Sequence, residues 1–372
     1  MKLLVISSAP FIKKNNTLYA YAPYIKELEI WNKQVTNISF CNPFWENEND
    51  LLITEIPFTI NKIYKLKDFN TLDFQSSIQS FFQVFYNSIK IFYSITQHDI
   101  IHIRCPGNIG LLACVIQIFF PLKKKIVKYA GNWDPESKQP ISYKIQKWIL
   151  NSTIFTHNTK VLVYGKWMGA SKNIIPFFTA SYSKLEDEAV FERDFTGKIS
   201  FIFVGTLTAG KRIIYALKII QQLHQKGFSV EMNIFGDGEQ RKNVEKFIKD
   251  YDLQKIVFLN GNIDKNQIKE AYKKNHFIIL PSKSEGWPKV IAEAMFWGCL
   301  PIATTVSCLP YMLDYGNRGL LLNMDLEKDV NNIIELVSNF DSYLSKTSEA
   351  TIWSRAYTIE KFEEEIKNLL NN

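Results

Sequence analysis

The chain is short of the residues that build metal and disulfide frameworks. Its five cysteines (Cys41, Cys105, Cys114, Cys299 and Cys308) include no Cys-x-x-Cys pair. Its five histidines (His98, His102, His157, His224 and His276) show no metal-ligand spacing. A zinc ribbon and a disulfide scaffold are excluded on these grounds, and free thiols in a cytoplasmic protein are the economical reading. His102 reads as a strand residue with a satisfied hydrogen bond. Gly110 to Leu122 is apolar but too short to cross a bilayer. Lys2 to Ser7 is too short for a secretory leader and lacks a cleavage site. There is no short-period repeat, no low-complexity tract and no RNA-binding aromatic motif. The net charge is +7, but its basic residues are scattered apart from Lys123-Lys124-Lys125, which argues against nucleic acid as a partner.

What is present points to a globular α/β protein. With 372 residues, 46% of them hydrophobic and 22% charged, the chain can bury the cores of two ordinary domains. Both halves alternate short apolar strands with helical patterns, the mark of parallel sheets covered by helices. Val5 to Ala9 reads as the opening strand.

The most informative stretch is Ser284-Glu285-Gly286-Trp287-Pro288-Lys289-Val290-Ile291-Ala292-Glu293-Ala294-Met295. It follows His276 to Pro281, which reads as a buried parallel strand ending at proline. Pro288 suits the first position of a helix, where its missing N–H costs nothing. The amides of Lys289, Val290 and Ile291 would then offer free N–H groups to a phosphate. Glu285 precedes this helix and Glu293 lies more than one turn inside it, so the two acids can flank one extended ligand. Carboxylates accept well from sugar and ribose hydroxyls. Phosphate between two hydroxyl-bearing rings describes a nucleotide sugar.

The pattern Glu285, seven residues, Glu293, then Ala294-Met295 and Gly298-Cys299-Leu300-Pro301-Ile302-Ala303-Thr304 resembles the signature of glycosyltransferase family 4. These are retaining enzymes of the GT-B fold, two Rossmann-like parallel-sheet domains facing a cleft, with a C-terminal helix that crosses back. Three further stretches fall in the order that the resemblance requires. Phe201 to Arg212 is similar to the family's first strand-turn-helix of the donor domain, with Gly205 in the turn and Lys211 at the family lysine. Thr206 stands where an arginine is usual. Asn233 to Gly238 is similar to the Gly-Asp-Gly element, with Gly236 either a tight turn needing positive φ or a ligand contact. Val257 to Ile263 matches the strand and turn that line the nucleobase pocket, here through Ile263. In the first half, Asp99-Ile100-Ile101-His102 is similar to the family's Asp-Ile-Ile-His strand and ends at Arg104. Gly131 stands where many relatives have a histidine, followed by Asn132 and Trp133, and the first loop lacks the paired glycines.

The resemblance implies a division of roles. Glu285 and Lys211 are the catalytic candidates, Glu285 on the donor hexose and Lys211 with the Lys289 to Ile291 amides on the diphosphate. Glu293 would hold the ribose, while Arg104, Asn132 and Trp133 are candidates for the acceptor side. No cofactor or metal is expected. The one Asp-x-Asp, Asp250-Tyr251-Asp252, falls before the amino end of a strand, and ligands of open α/β sheets bind outside the carboxyl ends. The first domain is expected over 1–178 together with a crossing helix at 352–372, then a linker at 179–196, then the donor domain over 197–351. The partners expected are a nucleotide sugar and a glycan or lipid-linked acceptor. Two apolar stretches, Gly110 to Leu122 and the aromatic-rich Phe81 to Ile95, leave two readings open: helices packed on the first sheet, or interfacial contact with anionic membrane. Two rival functions remain, a GT-B nucleotide-sugar epimerase and a non-catalytic sugar-nucleotide-binding subunit.

Overall fold

The structure, a computed structural model, describes residues 1–48, 51–69, 74–190 and 193–371, and for 74–80 the backbone alone. The chain divides into two units, Met1–Phe177 with Glu363–Asn372, and Phe178–Phe362.

The first unit holds β1 (Lys2–Ile6), β2 (Phe11–Lys14), β3 (Thr17–Tyr21), α1 (Ala22–Lys33), β4 (Asn37–Trp45), β5 (Ile53–Glu55), β6 (Lys62–Leu66) and α2 (Phe74–Thr96). It continues with β7 (Ile100–Cys105), α3 (Asn108–Ile116), β8 (Lys124–Tyr129), α4 (Ile141–Leu150), β9 (Thr159–Tyr164) and β10 (Ile174–Phe177). The sheet order is β10-β9-β8-β7-β1-β4-β2-β3-β5, and β6 also pairs with β4. Strands β1, β4, β6 to β10 are parallel, while β3 runs antiparallel to β2 and β5. The antiparallel extension grows from a hairpin at Asn15 and Asn16, whose φ angles of 46° and 65° suit the tight turn that asparagine tolerates. Helices α2, α3 and α4 pack in sequence on one face of this sheet.

The second unit holds β11 (Ile199–Val204), α5 (Ile213–Gln225), β12 (Val230–Phe235), α6 (Arg241–Asp250), β13 (Val257–Gly261), α7 (Lys265–Lys274) and β14 (Phe277–Leu280). There follow α8 (Lys289–Phe296), β15 (Leu300–Thr304), α9 (Leu309–Met312), β16 (Leu320–Leu322), α10 (Leu326–Ser338), α11 (Phe340–Arg355) and α12 (Ile359–Asn371), the last of which ends within the first unit. All six strands are parallel, in the order β13-β12-β11-β14-β15-β16. Strands buried on both faces explain their unbroken apolar sequences: Phe201, Phe203, Phe277 and Ile278 are fully buried, each contributing about 2–3 kcal/mol. The order reverses between β11 and β14, so this is a doubly wound sheet with its switch point there.

Four boundaries differ from the sequence expectation, the first being the opening strand, which spans Lys2–Ile6 and not Val5 to Ala9. Residues 179–196 are built into the second unit. Arg193 donates to the carbonyls of Lys273 (2.8 Å), Trp297 (2.9 Å) and Gly298 (2.6 Å), capping the carboxyl ends of α7 and α8. Residues 352–371 lie in two helices, broken at 356–358, where Trp353 is held in the second unit by Tyr357 and Trp287, with Arg318 over its ring. Helix α8 starts one residue later than expected, with Pro288 as its N-cap.

The lysine triplet is not an exposed cationic patch. Lys123 donates to the His98 carbonyl, Lys124 to Leu370, and the buried Lys125 to Phe120 at 2.7 Å. All five cysteines are free and buried. His102 is buried against Trp31, with ring centroids 4.3 Å apart. Burial and the neighbouring Arg104 hold its pKa down to about 3.

Lys125 gives a test of this burial. Desolvation lowers its pKa to about 8, below its value in the unfolded chain, so the unfolded chain binds more protons between pH 8 and 10. Native stability should therefore rise with pH across that window. Lys125→Met removes the titration. Urea melts at both pH values should show the wild type gaining about 2 kcal/mol relative to the variant, and parallel profiles would contradict the assignment.

Candidate active site

The candidate residues of the second half meet at the carboxyl ends of β11, β12 and β14. The loop after β11 begins at Gly205 and makes a 3₁₀ turn over Ala209–Lys211. Arg212 then caps α5 in the left-handed conformation (φ 52°, ψ 38°). The loop after β14 runs from Pro281 to Pro288. The Lys283 amide donates to the Gly210 carbonyl at 2.8 Å and ties the two loops together across the switch point. Further bonds fasten the second loop to the one after β15. Glu285 N–H donates to Ser307 Oγ (3.0 Å), the Cys308 thiol donates to the Gly286 carbonyl (3.0 Å), and Thr304 donates to the Ser282 carbonyl (2.6 Å).

This stapling sets Lys211 Nζ 2.6 Å from Glu285 Oε1. The Glu285 side chain is only 9% exposed and that of Lys211 28%. A carboxylate buried to that degree needs a cation, and Lys211 supplies it. Cation and anion together present a donor and an acceptor at one point, a fit to a ligand carrying both phosphate and hydroxyls.

Backbone approach is closest at the glycines. Gly236 N–H donates to the Gly261 carbonyl (2.8 Å), and Gly205 N–H donates to the Phe235 carbonyl (2.9 Å). A Cβ on Gly236 (φ 137°) would lie 2.0 Å from the Gly205 carbonyl oxygen, and one on Gly238 would lie 2.7 Å from that of Leu207. The Gly-Asp-Gly element is thus a tight turn laid on the first loop. Asp237 serves that turn, accepting from Gly238 N–H and pairing with Arg241. Thr206 is exposed and its carbonyl accepts from Thr208 N–H. Ile263 lines a groove of about 670 Å³ with Asn233, Phe235, Asn260, Asn266 and Gln267.

At the start of α8, Ile291 N–H is not free as expected, since it donates to the Pro288 carbonyl at 2.9 Å in a tightened first turn. Val290 N–H has no acceptor among the described residues, and Lys289 opens the helix. Glu293 accepts from the Ser181 hydroxyl (2.5 Å) and from the Tyr272 hydroxyl (3.3 Å). Lys265 donates to the Ser181 carbonyl at 2.7 Å and lies over the Tyr182 ring. Burial and the nearby Glu293 carboxylate push the Tyr272 hydroxyl well above its ordinary pKa. Ser181, Tyr272 and Ser307 were missed because single hydroxyls carry no pattern in a sequence. Asp250 ends α6 and Asp252 follows it, ahead of β13 and on the amino side of the strands.

The candidates of the first unit do not form a comparable group. Arg104 pairs with Glu27 (2.7 Å) and lies over Tyr24, while the buried Lys128 takes the second Glu27 oxygen (2.8 Å). Burial alone would raise the Glu27 pKa, but Arg104 and Lys128 hold it far below the carboxylate range. Trp133 is buried edge-on to Tyr129 at 5.0 Å, and Asn132 Oδ1 accepts from Asp134 N–H in the turn. Gly131 lies beneath the Pro106 ring, where a Cβ would come within 3.0 Å, so a histidine here would displace that ring.

Comparison with known proteins agrees with this architecture. The family described as Glycosyl transferases group 1 matches residues 186–354. An uncharacterized glycosyltransferase of Haemophilus influenzae is 31% identical over 175 residues, which are 46% of this chain; the chain spans about half of that relative's length, 48%. The lipopolysaccharide outer core galactosyltransferase WaaB is similar across 100% of this chain and 99% of its own (TM-score 0.71, 14% identity). Anabaena HepE, solved with UDP and glucose, is similar across 100% of both chains (TM-score 0.66, 14% identity). The fold is GT-B.

The glycine contact predicts a contrast between two alanine variants. Gly236→Ala drives a Cβ into backbone and should cost at least about 3 kcal/mol. Gly227→Ala also meets a positive φ (88°) but has open space around it, and should cost about 1–2 kcal/mol. Denaturant melts giving equal losses would refute the close approach.

Proposed function

We propose that this chain, whose residues 186–354 match the family Glycosyl transferases group 1, is a retaining, metal-independent hexosyltransferase of that family. The donor is a nucleoside-diphosphate sugar and the acceptor a hydroxyl of a growing surface polysaccharide or glycolipid, worked on in the cytoplasm. The observation that carries this reading is the Lys211–Glu285 pair at the switch point of the second sheet. The fold shared with WaaB, and with HepE holding UDP and glucose, supports it.

In this reading the bond from the sugar's anomeric carbon to the diphosphate oxygen breaks, and a bond to the acceptor oxygen forms on the same face. The acceptor's proton passes to an oxygen of the departing diphosphate. Negative charge grows on that group as it leaves, and Lys211 with the Lys289 and Val290 amides is the protein's means of stabilising it. Arg212, beside Lys211 and with no hydrogen bond or ion pair of its guanidinium among the described residues, is the cation available in place of the arginine absent at Thr206. Glu285 accepts from the hexose hydroxyls, and Glu293 exchanges the Ser181 hydroxyl for those of the ribose. The direct test is release of nucleoside diphosphate from UDP-, GDP- and ADP-sugars with and without acceptor, alongside thermal-shift binding. No binding of any of them would remove the proposal, and release without acceptor would favour the epimerase.

Two substitutions separate binding from turnover. Glu293→Ala should weaken donor binding by a few kcal/mol, since hydrogen bonds to a charged group contribute about 1.5–3 each. A 2′,3′-dideoxy donor should bind wild type and variant alike; if the variant also loses affinity for that donor, Glu293 serves the fold.

Lys211→Ala should act on kcat, with a loss on the order of 10²-fold, because the charge it meets develops in the transition state. Unchanged turnover would return Lys211 to a role as the counter-ion of Glu285 and favour a binding subunit.

A further inference from the structure

Helix α2 carries large apolar side chains on both its buried and its exposed sides. Its buried side sets Ile91 and Ile95 in the core together with two polar residues: Asn87 is fully buried and bonds both the amide and the carbonyl of Lys67, and Ser94 is fully buried beside Cys41. Its outward side is aromatic, with Phe81, Phe82 and Phe85 at 70%, 67% and 63% exposure, followed by Ile89 and Phe92. These recur at helical spacing and form one stripe. A stripe of this kind in water is unfavourable and marks a surface that meets something.

The stripe is not isolated. Helices α2, α3 and α4 lie side by side, and α4 adds Ile141, Ile145 and Trp148, the last 64% exposed. Phe119 and Leu122, also exposed, sit in the turn after α3. The same layer is rich in cations and poor in acids. Lys67 and Lys90 lie over the Tyr86 ring at 5.1 and 5.3 Å, and Lys62 over Tyr64 at 5.0 Å. No acidic residue occurs from Phe74 to His98 or from Ser137 to Leu185. The first unit carries 21 basic against 14 acidic residues, and the second 23 against 23, so the whole net charge of +7 belongs to the first unit.

The geometry points to a docking face on α2, α3 and α4 for an anionic lipid surface. Phenylalanine and tryptophan enter the boundary between headgroups and acyl chains, and the lysines above the tyrosine rings extend their ammonium groups to lipid phosphates. The charge argues for lipid over a second copy of the chain, since two units of +7 brought face to face repel. No described helix is long and apolar enough to cross a membrane, so the contact is peripheral. It brings a lipid-borne acceptor to the protein, and it rests on the surface of the first unit and not on the transferase reading.

The test is flotation of the full chain with phosphatidylcholine vesicles, with and without phosphatidylglycerol, in the absence of any sugar. Binding should appear with the anionic vesicles and fall with added salt. The triple variant Phe81→Ser, Phe82→Ser, Phe85→Ser and the double variant Lys67→Glu, Lys90→Glu should each lose about tenfold or more in vesicle affinity. The phenylalanines and Lys67 are exposed and Lys90 is half-buried, so each variant should retain the wild-type Tm and the wild-type transfer rate to a water-soluble acceptor. Three results would overturn the docking face: no flotation with anionic vesicles, flotation unaffected by either variant, or a wild-type dimer in sedimentation velocity that the triple variant dissolves. Failure of transfer with vesicle binding intact would instead count against the transferase reading alone.

Discussion

At the junction of β11 and β14 the chain leaves two neighbouring parallel strands toward opposite sides of the sheet, and the candidate site is a consequence of that divergence. Loops that part company leave a crevice at the carboxyl ends of the strands, where helix N-termini point and water can be displaced. The crevice would be floppy if left to the loops. Here the Lys283 amide on the Gly210 carbonyl, and the bonds from Glu285 to Ser307 and from Cys308 to Gly286, fix three loops to one another. The ion pair between Lys211 and Glu285 is held by that backbone, so its geometry is set before any ligand arrives.

Most of the second unit was legible in the sequence because each feature there has a local cause. A fully buried parallel strand needs an unbroken apolar run, a close backbone approach needs glycine, and a helix entered from a strand tolerates proline. What could not be read was made by partners distant in sequence. Arg193 was placed in a linker because nothing near it says that it will cap two helix ends some eighty and a hundred residues away. Ser181 on Glu293 is of the same kind. The Asn15-Asn16 hairpin is different: two asparagines between strand-like residues are a recognisable turn signal, and it was passed over in favour of the missing glycines of the first loop.

The first unit was less legible for a physical reason. Its candidate residues were chosen by position, at the ends of β7 and β8, and position does not reveal whether a side chain is spent on the fold. Arg104 and Lys128 share Glu27 inside the unit, and Trp133 fills the core beside Tyr129. Two cations on one carboxylate leave a positive balance at these strand ends, which a carboxylate or phosphate of an incoming group could meet. The exposed aromatic stripe of α2 was visible as spacing alone. Whether such a stripe faces in or out depends on what lies on the opposite side of the helix, and here the buried Asn87, Ile91, Ser94 and Ile95 take the inner side.

The departures from the family pattern are coupled to the local backbone and are not simple losses. Gly131 has the Pro106 ring packed against it, so a Cβ there would come within 3.0 Å of the ring and a larger side chain would require the ring to give way. Thr206 stands in a loop whose 3₁₀ turn ends at Arg212 in a left-handed conformation, which costs a residue with a side chain of order 1 kcal/mol or more. A chain that keeps an arginine under that strain, next to the lysine it shares a turn with, has placed a second cation within a few residues of the switch point by another route. An arginine introduced at 206 would then add a third cation to the same loop. Lys211 is paired with Glu285 and no ion pair of Arg212 occurs among the described residues, so the loop as built carries a second cation beside the paired lysine without the family arginine.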